Sequence, residues 1–284
     1  MEKRKRIKRN YKDDSTSSFS SEESDEGNIT RANEWKHNLT KLMHISITTE
    51  SMFDQREIIE SEEDMYLLCV SDDMWEAKAI DIKSLPLNPT LKTLVREVKD
   101  VYDAKARLYE TYINDYVDTL LHNLQFHSYP LHINAQRRYE IKIGNNEATI
   151  VAIPDFVVTS YESKMMIIVE DKTMKNATYA NGWKEDQVMA EIFVAAHNLK
   201  ITQQQDIYAV RIIGTLFTFY KATVSNEYIK ETLRGFPTKE HMAVKRYPDP
   251  GDDVYEINAL DFCKIEQRRE IIDYLCHIKQ RLQL

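Results

Sequence analysis

Cysteine is scarce in this chain: it has three, Cys69, Cys263 and Cys276, and no two share a CxxC spacing. An odd, unpatterned set argues against a disulfide framework and a zinc ribbon, and for reduced thiols in a cytosolic or nuclear setting. Glycine is also rare, at six residues in 284, where average usage is roughly 7%. With so few, no glycine-rich loop is available to wrap a phosphate. Long apolar runs are missing too, since none reaches the roughly 18 residues that a membrane-spanning helix needs. The opening MEKRKRIKRNYKDD lacks the apolar core of a secretory signal, so neither a membrane partner nor classical secretion is expected. The eight histidines form no HExxH, and no serine sits in a GxSxG elbow. That removes the commonest zinc-protease and serine-hydrolase patterns.

What is present is a globular composition, 42% hydrophobic and 30% charged, with a formal net charge of −8. The charge is uneven. Residues 1–12 carry +6, chiefly through KRKRIKR, and residues 13–27, DDSTSSFSSEESDEG, carry −6. The two blocks cancel, which leaves the whole −8 on the body. Such a body is short of the clustered Lys and Arg that neutralise phosphates, so nucleic-acid binding needs a local basic face. The basic heptad reads as a nuclear import signal or a nucleic-acid patch. Residues 1–30 are expected to be a disordered tail, because they hold too few apolar side chains to offset the entropy of ordering.

Residues 31–90 show apolar patches without a sustained period and read as an N-terminal elaboration of short helices or strands. Pro86 and Pro89 then mark a break. From residue 91 to 284 the pattern is that of a single α/β (α+β) domain. LKTLVREVKDVYDAKARLYETYINDYVDTLLHNLQF is helical in period, as one or two helices, with Tyr109, Ile113, Tyr116, Val117, Leu120, Leu121 and Leu124 in one stripe. Residues 137–143 and 147–160 read as strands around the turn Gly144-Asn145-Asn146, and KMMIIVEDKT as a third. An amphipathic helix is expected over 182–198, then one strand or two broken near Gly214, then a closing helix capped by Asp261. The order implies a mixed central sheet flanked by helices.

The stretch IPDFVVTSYESKMMIIVEDKT, residues 153–173, carries acids where strands should be apolar. If its two halves pair antiparallel through the polar turn, Asp155 and Glu170 come level on neighbouring strands. Strand parity gives Glu170 and Lys172 one face and Asp171 the other. Two carboxylates held together need a proton or a cation between them, and oxygen ligands suit a hard ion such as Mg²⁺ or Mn²⁺. A lysine on the same face can neutralise charge building on a phosphate. These are the parts of metal-assisted phosphodiester hydrolysis.

Pro154-Asp155 followed by Glu170-Asp171-Lys172, each on an apolar strand, resembles the PD-(D/E)XK, or restriction-endonuclease-like, nuclease superfamily. The resemblance covers roughly residues 100–225 and rests on the order helix, strand, Pro-Asp strand, Glu-x-Lys strand, helix. QVMAEIFVAA, residues 187–196, is similar to divergent eukaryotic members, among them transposon-associated nucleases and Crinkler-type effector domains. The resemblance implies a restriction-endonuclease-like core in which Asp155 and Glu170 bind the metal and Lys172 assists the attacking water. Glu110 would be a supporting ligand, and Gln187 would orient the lysine or a phosphate. The implied substrate is nucleic acid, DNA ahead of RNA, in the nucleus or cytoplasm. The alternative is a catalytically silent nuclease fold that serves as a nucleic-acid or protein interaction module. Arg137, Arg138, Lys142, Lys164, Lys175 and Lys184 would form a basic rim around either kind of site.

Overall fold

Strand-forming residues are concentrated between Leu131 and Val224, where β-branched and aromatic side chains dominate. The computed structural model describes residues 29–49, 66–104, 110–144, 148–161, 164–170, 185–199, 201–250 and 258–284. The expectation of a disordered tail falls almost wholly outside these residues.

Short elements open the described chain: β1 (Ile29–Arg31), α1 (His37–Leu42), β2 (Ile45–Thr49) and α2 (Asp72–Glu76). Two long helices follow, α3 (Pro89–Ala104) and α4 (Glu110–Asn123). Five strands come next: β3 (Leu131–Ala135), β4 (Tyr139–Ile143), β5 (Ala148–Ala152), β6 (Phe156–Ser160) and β7 (Met165–Glu170). The remainder is α5 (Glu185–Asn198), β8 (Gln205–Ile213), β9 (Leu216–Val224), α6 (Asn226–Arg234), β10 (Met242–Tyr247), β11 (Leu260–Asp261) and α7 (Ile265–Gln283).

The main sheet has the order β2-β10-β9-β8-β7-β6-β3, with β11 added on β9. The strands β3, β6 and β7 are antiparallel neighbours, whereas β7 and β8 run parallel. A parallel pair cannot be joined by a tight turn; here α5 lies in the connection between the two strands. A second sheet, β1-β5-β4, lies apart from the first.

Residues 147–160, expected as one strand, are therefore two strands in two different sheets. The chain breaks at Ile153-Pro154-Asp155, where proline has no N–H to donate to a ladder. Strand β3 lies outside the expected set, although LHINA alternates apolar and polar residues in the strand period.

Alternation along the strands sorts the main sheet into two faces. Phe156, Val158, Met166, Ile168, Val210 and Ile212 pack into one core with α3, α4 and α7. Val157, Ile167, Ala209, Ala222 and Val244 pack into the other with α5, Trp35 and the second sheet. Helix α5 is covered by the main sheet on one side and by β4 and β5 on the other. That explains why every residue from Val188 to Ala196 is buried, including the polar-face position Glu191.

The N-terminal elements are woven into the domain. β1 pairs parallel with β5, and β2 pairs parallel with β10. The fully buried Arg268 of α7 donates to the carbonyls of Tyr66, Leu67, Val70 and Phe262. The cap of α7 also differs from expectation. Asp261 instead accepts from the Cys263 N–H and the Thr215 hydroxyl, and the Ile265 N–H is taken by Asp72 from across the fold.

Candidate functional site

The break between β5 and β6 places Asp155 in a bend immediately before β6, half-buried, with the buried Pro154 behind it. Its carbonyl accepts from the Gln136 N–H at 2.9 Å, which ties the bend to the end of β3. Because β6 and β7 are antiparallel, the start of β6 and the end of β7 lie at the same end of the sheet, so Asp155 and Glu170 are brought to one rim. The register is offset by one from exact opposition. Phe156 faces Ile168, so continuing the ladder sets Asp155 beside Val169, and Glu170 pairs on its other side with Ile212 of β8. The expectation that the two acids share a face is thereby corrected: position 155 continues the row of Val157 and Ile167, toward α5, and position 170 the row of Phe156, Ile168 and Ile212.

Glu110 is the first residue of α4, and its side chain is outside the described residues, as is that of Glu170. Lys172, Asp171, Lys175 and Lys184 also lie outside the described residues. Among the described residues, no group of three or more His, Cys, Asp or Glu is placed to hold a metal ion, a set that leaves out the Glu170 carboxylate.

Gln187 stands in the first turn of α5. That end of the helix is pinned on both flanks. Glu185 forms an ion pair with the buried Arg246 at 2.5 Å and accepts from the Tyr220 hydroxyl at 3.1 Å. Asp186 accepts from the Thr40 hydroxyl of α1 at 2.5 Å, and His37 lies 3.6 Å from it. Acids at a helix start also oppose its positive dipole end.

One turn on from Gln187, Glu191 is the residue that the sequence-based set leaves out. Its carboxylate is 3% exposed. Oε1 accepts from the Gln187 amide at 3.1 Å, and Oε2 has no partner among the described residues. Burial raises its pKa to about 8; the Gln187 bond opposes that rise and the nearby charge of Asp155 adds to it. Gln187 and Glu191 line a cleft of about 370 Å³ together with Arg31, Ala32, Arg138, Val151 and Ile153. Of the expected basic rim, Arg138 lines this cleft, and Arg31 of β1 joins it. A signal for Glu191 did exist in the sequence: it is the one acid inside QVMAEIFVAA.

The arrangement joins a buried carboxylate, an amide and two guanidinium groups around one cleft, with the charge of a second carboxylate, Asp155, acting on the first. Such a donor set fits a hard divalent cation, since an orphaned carboxylate oxygen beside a like charge is relieved by a cation between them. The guanidinium groups suit phosphate oxygens. No protein-family model and no curated protein matches the chain. Among the described residues, no helix is long and apolar enough to cross a membrane.

Proposed function

We propose that this chain is a metal-dependent nuclease that hydrolyses phosphodiester bonds, DNA ahead of RNA, by the PD-(D/E)XK mechanism. The observation that carries the reading is the path α4, β3, β6, β7, α5, β8. Three antiparallel neighbours are followed by a parallel one, with Asp155 entering the second of the four strands and Glu170 ending the third at the same rim. The shared rim and this strand order support the reading, with β4 and β5 inserted between the first two strands of the path.

Asp155 and Glu170 would hold Mg²⁺ or Mn²⁺, with Glu110 in support. When bound, the ion supplies Lewis-acid stabilisation of the charge that builds on the phosphate. Lys172, two residues past the end of β7, would hydrogen-bond a phosphate oxygen and position the attacking water. Gln187 already donates its amide to Glu191, which leaves its carbonyl oxygen to orient that lysine or the water. Arg31 and Arg138 would grip flanking phosphates and supply the local basic face that an acidic body needs. The basic heptad at residues 3–9 fits a protein that meets its substrate in the nucleus.

The test is incubation of single- and double-stranded DNA and RNA with the full chain and Mn²⁺, wild type beside Lys172→Ala. Cleavage by the wild type alone is the expected result, and equal cleavage by both overturns the mechanism. Binding of nucleic acid without any cleavage assigns the fold to an interaction module instead.

A further inference from the structure

The mechanism above uses Asp155, Glu170, Lys172 and Gln187 and leaves Glu191 idle, although Glu191 is the more unusual residue physically. A carboxylate almost wholly removed from water has to be ion-paired, fully hydrogen-bonded or protonated, because an uncompensated buried charge is costly. Glu191 is half-bonded. The Gln187 amide satisfies Oε1, the remaining oxygen has no partner among the described residues, and the residue lines the cleft. Among the described residues no arginine or lysine forms an ion pair with it, and the charge that acts on it is the like charge of Asp155.

The position is also costly for the helix. Its neighbours Met189, Ala190, Ile192 and Phe193 are all fully buried, and a leucine or methionine in place of Glu191 would fill the same space without a desolvation penalty. Keeping a carboxylate there makes sense if something in the cleft uses it. The rigid anchoring of α5 through Glu185 and Asp186 holds that carboxylate in a fixed place, as a ligand requires.

We propose that Glu191 is itself a ligand of the divalent cation, sharing the ion with Asp155 of the bend before β6. The inference rests on the nuclease reading for the presence of the ion and adds a helix-borne carboxylate to its ligands. In that arrangement Gln187 is a positioning residue: its amide fixes Oε1 and turns Oε2 toward the ion. Arg31 and Arg138, on the other walls of the cleft, meet the phosphate that the ion attracts.

The test is calorimetric titration of the full chain with MnCl₂ alone, without nucleic acid, for wild type, E191Q, E191D, D155N and the exposed-surface control E266Q. Thermal melting with and without Mn²⁺ runs in parallel. The wild type and E266Q are expected to bind Mn²⁺ saturably and to melt higher in its presence. E191Q should lose affinity by about tenfold or more and lose the Mn²⁺-dependent rise in melting temperature, while melting normally without metal. E191D, which keeps the charge on a shorter arm, should fall between them and keeps the assignment testable if E191Q folds poorly. Wild-type affinity in E191Q, or no saturable Mn²⁺ binding by the wild type, overturns the assignment. The two readings fail separately. Glu191-dependent Mn²⁺ binding without cleavage of any nucleic acid removes the nuclease reading and leaves the ligand in place. Mn²⁺-dependent cleavage with metal binding indifferent to E191Q does the reverse.

Discussion

Nη2 of Arg268 lies 2.6 Å from the carbonyl oxygen of Val70, a contact spanning 198 positions of sequence. The same guanidinium donates to the Tyr66, Leu67 and Phe262 carbonyls and lies 5.9 Å from the Trp75 ring. A planar fork of five donors suits such a cluster of carbonyls, which a lysine cannot reproduce. Arg268→Met, which keeps most of the volume, leaves buried carbonyls without donors, each at a cost of about 1–3 kcal/mol. Arg268→Lys should rescue only part of that loss. Urea denaturation of the two variants beside wild type measures both effects, and wild-type stability in Arg268→Met would remove the proposed role.

The ion pair between Arg246 and Glu185 is the second buried charge arrangement with a clear consequence. Arg246 is 3% exposed and also donates to the carbonyls of Pro248 and Asn258. Removing one partner of a buried pair costs about 3–5 kcal/mol. Arg246→Met should therefore destabilise more than Glu185→Gln. The double variant should lose less than the two singles together, because neither charge is then left alone. A double-mutant cycle in urea reads the coupling.

Asp72 caps α7 from outside the helix by accepting the Ile265 N–H at 2.8 Å. Asp72→Ala should cost about 1 kcal/mol, whereas Asp261→Ala should act where β11 meets the β8–β9 turn, through its bonds to Thr215 and Cys263. Thermal melting distinguishes the two if the Asp261 loss is suppressed in a Thr215→Val background and the Asp72 loss is unchanged there.

His197, near the end of α5, is bonded to the Phe193 carbonyl and the Thr232 hydroxyl. Burial lowers its pKa to about 4 from an ordinary 6.5. The unfolded chain therefore binds a proton at this site between pH 6.5 and pH 4 that the folded chain refuses. Its contribution to stability is fully present above pH 6.5 and is lost as pH falls toward 4, by about 3 kcal/mol at most. His197→Gln should flatten the stability profile in that window. A profile of unchanged slope in the variant would assign the acid sensitivity to other groups.

At the candidate site, Asp155→Ala, Glu170→Ala and Lys172→Ala should each abolish cleavage while the melting temperature changes little, since Asp155 is half-buried and sits in a bend. Nuclease assays with circular dichroism melts on the same preparations decide these together.

Periodicity alone marked α3, α4, α5 and α7 because each has enough residues for a 3.6-residue repeat to stand out. Glycine marked two hairpins. Gly144 follows β4, Gly214 separates β8 from β9, and both adopt positive φ angles near 61°, which few other residues tolerate. The common rim for Asp155 and Glu170 followed from antiparallel pairing of two apolar runs, which local pattern also supplies.

Tertiary structure decided the rest. Pro154 marks a break within 148–160, but both halves are β-branched and apolar, so only the pairing partners decide that Ala152 belongs to one sheet and Phe156 to another. LHINA alternates in the strand period but is only five residues long, and pairing along β6 makes it β3. Asp72 reaches Ile265 because Arg268 gathers the 66–70 turn against α7. Glu191 shows the same limit at the site. Its place in the sequence fits a solvated helix face, and only the second sheet, closing over α5 from the far side, turns that face into an interior. Periodicity reports which side of an element is apolar; how many layers cover it depends on strands from elsewhere in the chain.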